Sequence, residues 1–238
     1  MLSIIVPAFN EERELPGCLA SIGRAVRSAK NVEHELIVVD NNSSDGTCDV
    51  ARAAGAAVVF EPVNQISRAR NAGAEVAVGE WLLFLDADSR LHPDSFGELV
   101  DVLRSGTVAG GGCIIALEGV PAWIRAGLPL FNLCMRIVKW APGCFLFCRA
   151  DAFRELRGFS TDLFGGEEMD FSRRLKQWAR ARGCGFRVLA RRPHLSSGRK
   201  FRLFTTRETL EHLWRSFFRF GVYHRDRSQL AWYYDGRR

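Results

Sequence analysis

The sequence predicts an α/β protein built on a mostly parallel, Rossmann-like central sheet flanked by helices, with a basic helical extension at its C-terminus. Three observations carry that prediction. Strand-like apolar runs alternate with helix-period segments through the first half, which implies right-handed crossovers and a parallel sheet. One of those runs, Trp81-Leu82-Leu83-Phe84-Leu85, is apolar on both faces and ends in Asp86 and Asp88, at the edge where open α/β sheets bind ligands. The charge is also divided: residues 1–172 hold 15 Lys/Arg against 23 Asp/Glu, a net of −8, while residues 173–238 hold 18 against 4, a net of +14.

The elements follow in order. Strands are expected at Leu2–Pro7, Glu35–Asp40, Ala57–Glu61 and Trp81–Asp86. In the first crossover Leu15, Cys18, Leu19, Ile22 and Val26 recur at helical spacing, with Pro16 in the first turn. In the second, Ser43-Ser44-Asp45-Gly46-Thr47 supplies turn and cap residues before a helix over Cys48–Ala54 that Gly55 closes. The third helix is Ser67–Val78, ended by Gly79. No G-x-G-x-x-G follows the first strand, where a dinucleotide-binding fold would place it. Instead that strand runs into Pro7-Ala8-Phe9-Asn10-Glu11-Glu12 and the second into Asp40-Asn41-Asn42-Ser43-Ser44, side by side on the ligand edge. Asp40 is placed there to accept hydrogen bonds from a base or a ribose, and Asp45-Gly46 reads as turn chemistry.

Two carboxylates at the end of a buried strand are hard to explain as packing, because an unpaired buried charge is strongly disfavoured. A divalent cation, Mg²⁺ or Mn²⁺, resolves that cost with one or two carboxylates plus substrate phosphates. A solvated Asp-x-Asp turn is the alternative on these residues alone. The composition, 47% hydrophobic and 25% charged over 238 residues, is that of a globular protein. The seven cysteines are odd in number and scattered, and only Cys144 and Cys148 are close, which fits no common zinc pattern. They read as buried or incidental thiols in a reducing compartment. With no basic leader and no apolar run of bilayer length, the expected location is cytoplasmic.

The order and separation of these motifs identify a resemblance. Val6-Pro7-Ala8-Phe9-Asn10-Glu11-Glu12, Ile37-Val38-Val39-Asp40-Asn41-Asn42-Ser43-Ser44-Asp45-Gly46-Thr47, Ser67-Arg68-Ala69-Arg70-Asn71-Ala72-Gly73 and Leu85-Asp86-Ala87-Asp88 together resemble the family 2 glycosyltransferases over most of residues 1–180. The resemblance implies a GT-A fold and a nucleotide-sugar donor. By the same resemblance Pro7, Phe9, Glu11 and Asp40 would hold the nucleoside and Arg70 would line its pocket. Asp86 would contact the ribose or the metal, and Asp88 would ligate the divalent cation on the diphosphate. On the residues alone a surface helix cation is the alternative reading of Arg70.

The second half holds the acids. Gly143–Arg149 reads as a strand followed by a short helix. Further on, Gly165-Gly166-Glu167-Glu168-Met169-Asp170 opens a helix whose Phe171, Leu175 and Trp178 share one face. Acids in a first turn suit the helix dipole, by about 0.3–1 kcal/mol each, and that is their structural reading. By resemblance this is the family's "Glu-Asp" motif, whose second acid deprotonates the acceptor hydroxyl. Glu168 matches it with one extra methylene, which leaves Glu167 open as the base and Asp170 as an outside candidate. Inversion at the anomeric carbon is likewise implied only by the family. Arg191–Lys200 reads as a basic loop in which Arg199 and Lys200 could close over the diphosphate, or which is simply solvated; by resemblance to GT-A enzymes His194 would complete the metal shell, and on the residues alone it is an ordinary histidine of that loop.

The expected organisation is a catalytic domain over residues 1–195, divided at 110 into nucleotide-sugar and acceptor halves, and a basic, aromatic-rich helical segment over 196–238. Val120–Trp140 and Leu210–Tyr234 mix bulky apolar residues with cations, as interfacial helices do. Core packing or a homodimer contact is the plainer reading of both. If they meet an anionic membrane from its inner face, the acceptor would be a lipid or a lipid-linked intermediate. A sugar-phosphate nucleotidyltransferase would need a Gly-rich, Arg-containing loop after the first strand, which is not there. A haloacid-dehalogenase-type phosphatase would need its paired aspartates after the first strand. A nucleic-acid-binding protein would use the basic C-terminus but leave Asp86, Asp88 and the Glu167–Asp170 cluster unexplained, because carboxylates repel phosphate. No nucleic-acid partner is expected.

Overall fold

A computed structural model describes residues 1–199. Their seven strands form a single sheet in the order β3-β2-β1-β4-β6-β5-β7. The first half follows the alternation closely: β1 (Leu2–Ala8), α1 (Leu15–Ser28), β2 (His34–Asp40), α2 (Thr47–Ala53), β3 (Ala57–Phe60), α3 (Ile66–Val76) and β4 (Trp81–Leu85). All of β1 is buried, because α1 and α3 cover opposite faces of the sheet. Side chains alternate between those faces. Ile4 and Val6 join Leu15, Leu19 and Ile22 of α1 on one side, while Ile5, Ile37 and Phe84 join Ala69 of α3 on the other. β1 pairs in parallel with β2 and β4, and β2 with β3.

The second half departs from the simple alternation. It runs α4 (Pro93–Arg104), β5 (Val108–Glu118), α5 (Ala122–Val138), β6 (Phe145–Arg149), α6 (Ala150–Glu155), α7 (Glu167–Ala181) and β7 (Gly185–Ser197). β6 is antiparallel to both β4 and β5, so the sheet is mostly and not wholly parallel. The sequence pattern assigns no strand to β5, because Gly110-Gly111-Gly112 lowers strand propensity. The glycines answer to close backbone approach: a Cβ on Gly111 would lie 1.7 Å from the Arg187 carbonyl oxygen, and one on Gly110 2.4 Å from that of Phe147.

The expected basic loop is corrected in the same way. Residues through Ser197 form the edge strand β7, parallel to β5. Between Leu189 and His194 the pairing shifts register, and Pro193 falls in that irregular stretch, where a strand tolerates a missing N–H. The freed donors are satisfied from α4: Glu98 accepts from Ala190 N (3.0 Å) and Arg191 N (2.7 Å). The expected divisions at residues 110 and 195 both cut strands, since β5 spans the first and β7 the second. Most of the expected C-terminal segment, including Lys200 and Leu210–Tyr234, lies outside the described residues.

Candidate active site

The β1–β4 ladder stops at Ile5↔Phe84, whereas β1 and β2 stay paired to Ala8↔Asp40. The carboxyl ends of β1 and β4 therefore part, at the point where the strand order reverses and α/β folds leave a ligand crevice. Pro7 sits in β1 just past the lost ladder, where its missing N–H costs no pairing with β4. Phe9 follows, half-buried. Asn10 adopts φ 53°, a conformation Asn tolerates, and turns the chain toward the loop after β2.

Those two loops brace each other. Asn10 N donates to Ser43 Oγ (3.0 Å), Ser44 N to Asn10 Oδ1 (2.8 Å) and Glu11 N to Thr47 Oγ1 (2.8 Å). Asp40, buried at the end of β2, accepts from Ser43 N (3.0 Å) and from the Cys48 thiol (3.5 Å), so its carboxylate first of all shapes its own loop. Burial and the neighbouring Asp40 charge push the Cys48 thiol up, which keeps it a donor. Buried Glu11 meets the Arg199 guanidinium through one carboxylate oxygen. Its other oxygen is buried with no partner among the described residues.

Asp86 and Asp88 leave β4 through a turn in which Ser89 N (3.1 Å) and Oγ (2.7 Å) donate to the Asp86 carbonyl. That turn leaves both carboxylates for charged partners. Arg199 Nε stands 3.3 Å from Asp88 Oδ2, so a single guanidinium neutralises Glu11 and Asp88. Arg70 is no surface cation. It is 3% exposed, and Nη2 donates to Asp86 Oδ1 (3.2 Å) and the Gly143 carbonyl (3.0 Å), while Nη1 donates to Glu167 Oε1 (2.8 Å). Its guanidinium carbon also lies 5.4 Å from the centroid of the Phe159 ring.

α7 begins at Gly166, at φ 81°, a left-handed residue that directs the first turn toward Arg70. Glu167 is buried there and held by Arg70. Glu168 is half-buried next to Gly143, where a Cβ would come within 3.6 Å of Glu168 Cγ and 3.0 Å of Arg70 Nη2. Burial, and then the charge of Glu167, push the Glu168 carboxyl up to about 8 against the lowering pull of Arg70. Asp170 is committed elsewhere, to Arg174 at 2.6 Å and Arg173 at 3.2 Å. Of the two residues the sequence left as alternatives, Glu167 is engaged by Arg70, and Glu168 is the acid whose proton affinity its surroundings raise.

The donor chemistry at the end of β4 suits a hard divalent cation, since Asp86 and Asp88 offer oxygens and the second Glu11 oxygen is orphaned. Among the described residues no three His, Cys, Asp or Glu side chains already converge as a metal cage. A cation that shares its shell with a diphosphate needs no such cage. His194 lies in β7, fully buried and edge-on to Phe145 at 5.0 Å. Burial draws its pKa down to about 4 despite the opposing charge of Asp86, so the imidazole is neutral. Neither ring nitrogen makes a well-formed hydrogen bond among the described residues, although the Cys144 backbone lies close enough to favour the protonated ring.

Sequence reasoning missed two positioning groups. The Gly143 carbonyl orients Arg70, and Gln65 Nε2 donates to the Thr161 (2.8 Å) and Leu163 (2.9 Å) carbonyls, tying the approach to α7 onto α3. Only the glycine before β6 signalled either. The seven cysteines are all free thiols, as their scatter implied.

Comparison with known proteins completes the picture. The glycosyl transferase family 2 model matches residues 3–157. A PGL/p-HBAD biosynthesis glycosyltransferase of Mycobacterium tuberculosis is 37% identical over 98 residues, which is 39% of this chain and 37% of that protein. An uncharacterized glycosyltransferase of Rickettsia typhi is 35% identical over 104 residues, 44% of this chain and 33% of its own length. The chain thus spans about a third of the length of these curated relatives. Among solved structures, Staphylococcus aureus TarS 1–349 superposes with a TM-score of 0.67 at 18% identity, covering 85% of this chain and 62% of that one. Glucosyl-3-phosphoglycerate synthase from M. tuberculosis, solved with Mn²⁺, UDP and glucosyl-3-phosphoglycerate, gives 0.61 at 19% identity, over 91% and 76%. The mannosyltransferase PcManGT from Pyrobaculum calidifontis, with GDP-Man and Mn²⁺, gives 0.60 at 20% identity, over 82% and 56%. These likenesses establish the GT-A fold, and with the family match spanning β1 to α6 the chain belongs to glycosyl transferase family 2.

Proposed function

We propose that this chain is the donor-binding and catalytic unit of an inverting glycosyltransferase, moving a sugar from a nucleoside diphosphate to an acceptor hydroxyl. The observation that carries the reading is the buried Arg70 bridge, which holds an acid of the donor edge (Asp86) and an acid of α7 (Glu167) on one guanidinium. Two chemically distinct carboxylate sets are thereby fixed side by side, as a displacement between two substrates requires.

In this reading Pro7, Phe9, Glu11 and Asp40 hold the nucleoside on the braced loops, and Asp86 meets the ribose. A divalent cation held by Asp88, with Asp86 and the neutral imidazole of His194 beside it, would offset the charge that develops on the leaving diphosphate. Mn²⁺ with UDP or GDP-Man in the structural neighbours supports that assignment. Arg199 turns from the Glu11 and Asp88 carboxylates to the diphosphate oxygens, a role assigned to Lys200 as well. Glu168 takes the acceptor's proton as the acceptor oxygen bonds the anomeric carbon. The bond from that carbon to the diphosphate breaks with its electron pair on the leaving oxygen, so a single displacement inverts the centre. Such a base contributes about 10²–10⁴-fold.

Thermal unfolding with UDP, GDP, dTDP and CDP, each with and without Mn²⁺, tests the donor site. Ligand at 100 times its Kd adds about 2.7 kcal/mol, a shift of about 5–10 °C at this chain length. One nucleotide giving a metal-dependent shift that Asp88→Ala abolishes is the expected result. No shift with any nucleotide overturns the reading.

A further inference from the structure

α5 is turned inside out relative to an ordinary surface helix. Its protein-facing side is narrow: Ile124 and Met135 are buried, and the Asn132 amide clamps β5 by accepting from Ile115 N (3.0 Å) and donating to Ile115 O (2.9 Å). The opposite side carries Trp123, Leu130, Leu133 and Ile137, which are 39%, 67%, 49% and 71% exposed. These recur at helical spacing, so they form one stripe along the helix and not a scatter of single exposed residues. Arg125, Arg136 and Lys139 are exposed along or beyond the same helix, which contains no Asp or Glu. A soluble surface helix puts charge at the centre of its outer face; here the centre is apolar and the charge is of one sign.

We infer that the outer face of α5 docks the protein on an anionic lipid surface. Trp, Leu and Ile enter the boundary between headgroups and acyl chains, while the three cations meet acidic headgroups. No helix of the described residues is long and apolar enough to cross a membrane, so the contact lies in the plane of the surface. The helix is well placed for it. Lys176 of α7 donates to the Val138 carbonyl at 3.1 Å, and five residues past Val138 the Gly143 carbonyl accepts from Arg70. Five residues reach at most about 18 Å, so the end of α5 lies within that reach of Gly143, which stands beside Glu168. The docking stands without the proposed activity. Only its corollary, an acceptor presented by a lipid, rests on that reading.

Flotation of the full chain with phosphatidylcholine vesicles, with and without phosphatidylglycerol, tests the inference at low salt and in the absence of any nucleotide. The protein is expected to float with the anionic vesicles alone. L130Q/I137Q should lose at least tenfold in partitioning while keeping the thermal stability of the parent, since both side chains are exposed. Each of R125Q, R136Q and K139Q should lose about fivefold, and added salt should reproduce that loss. No flotation overturns the inference, as does flotation that L130Q/I137Q leaves intact, which would assign the contact to another part of the chain. A dimer by light scattering that L130Q/I137Q converts to monomer also overturns it, because the stripe would then join two copies.

Discussion

The donor and acceptor sides of the proposed site are held together by different means. On the donor side, the loops after β1 and β2 are knitted by at least four hydrogen bonds, donated by Asn10, Glu11, Glu12 and Ser44, and the acids of β4 follow directly from a buried strand. On the acceptor side, Glu167 and Glu168 sit at a helix start positioned by glycine backbones and by one arginine from the other half. The donor side is built locally and redundantly. The acceptor side depends on long-range contacts with little in reserve, so single substitutions should separate the two.

Arg70→Ala is the largest expected break. Removing one member of a buried charge cluster leaves Asp86 and Glu167 uncompensated, at a cost of about 3–5 kcal/mol. Urea denaturation should show that loss, and Arg70→Lys should not restore it, because an ammonium cannot span both carboxylates and the Gly143 carbonyl. A destabilisation below about 1 kcal/mol would mean the bridge does not join the halves.

Glu168→Gln should instead leave the donor side intact. Turnover should fall about 10²–10⁴-fold with the nucleotide-dependent thermal shift retained. Wild-type kcat/KM should climb with pH toward about 8, where Glu168 loses its proton. The stability effect has the opposite sense. The folded-state pKa lies above the ordinary 4.5, so the contribution of Glu168 is complete below pH 4.5 and is lost as pH rises through about 8. Wild type should therefore lose ground to Glu168→Gln in urea midpoint across that window. A difference that is flat with pH would remove Glu168 as the perturbed acid.

Legibility in the sequence divides along the same line. Trp81–Asp88 could be read at once because a strand apolar on both faces has few other uses, and carboxylates at its end have fewer. The β1 and β2 loops were legible because Asn, Ser, Asp and Gly carry turn chemistry in their own side chains. β5 was hidden because its glycines serve the neighbouring backbones of β6 and β7. β7 was hidden because an edge strand with Arg187, Arg191, Arg192 and Pro193 has the composition of a loop. Arg70 reads as one more polar position on a helix, since its partners Asp86 and Glu167 lie 16 and 97 residues away. Gly111→Ala tests the glycine argument directly. The clash with Arg187 O should cost about 1–3 kcal/mol and depress turnover through α7 and β7 without moving the nucleotide-dependent shift.

Arg199 gives the smallest effect and the sharpest one, because it should change sign with the ligand. As described, its guanidinium neutralises Glu11 and Asp88 together, the same carboxylates that would attract a cation. Exposed enough to move, it is worth no more than about 1 kcal/mol in that pairing. Arg199→Gln should therefore tighten Mn²⁺ binding in the absence of nucleotide by roughly three- to fivefold, read from free Mn²⁺ by electron paramagnetic resonance. With nucleotide present the same variant should weaken donor binding, since a diphosphate contact is lost. If both changes have the same sign, Arg199 is a fixed part of the donor side; if they oppose, it exchanges partners when the site fills.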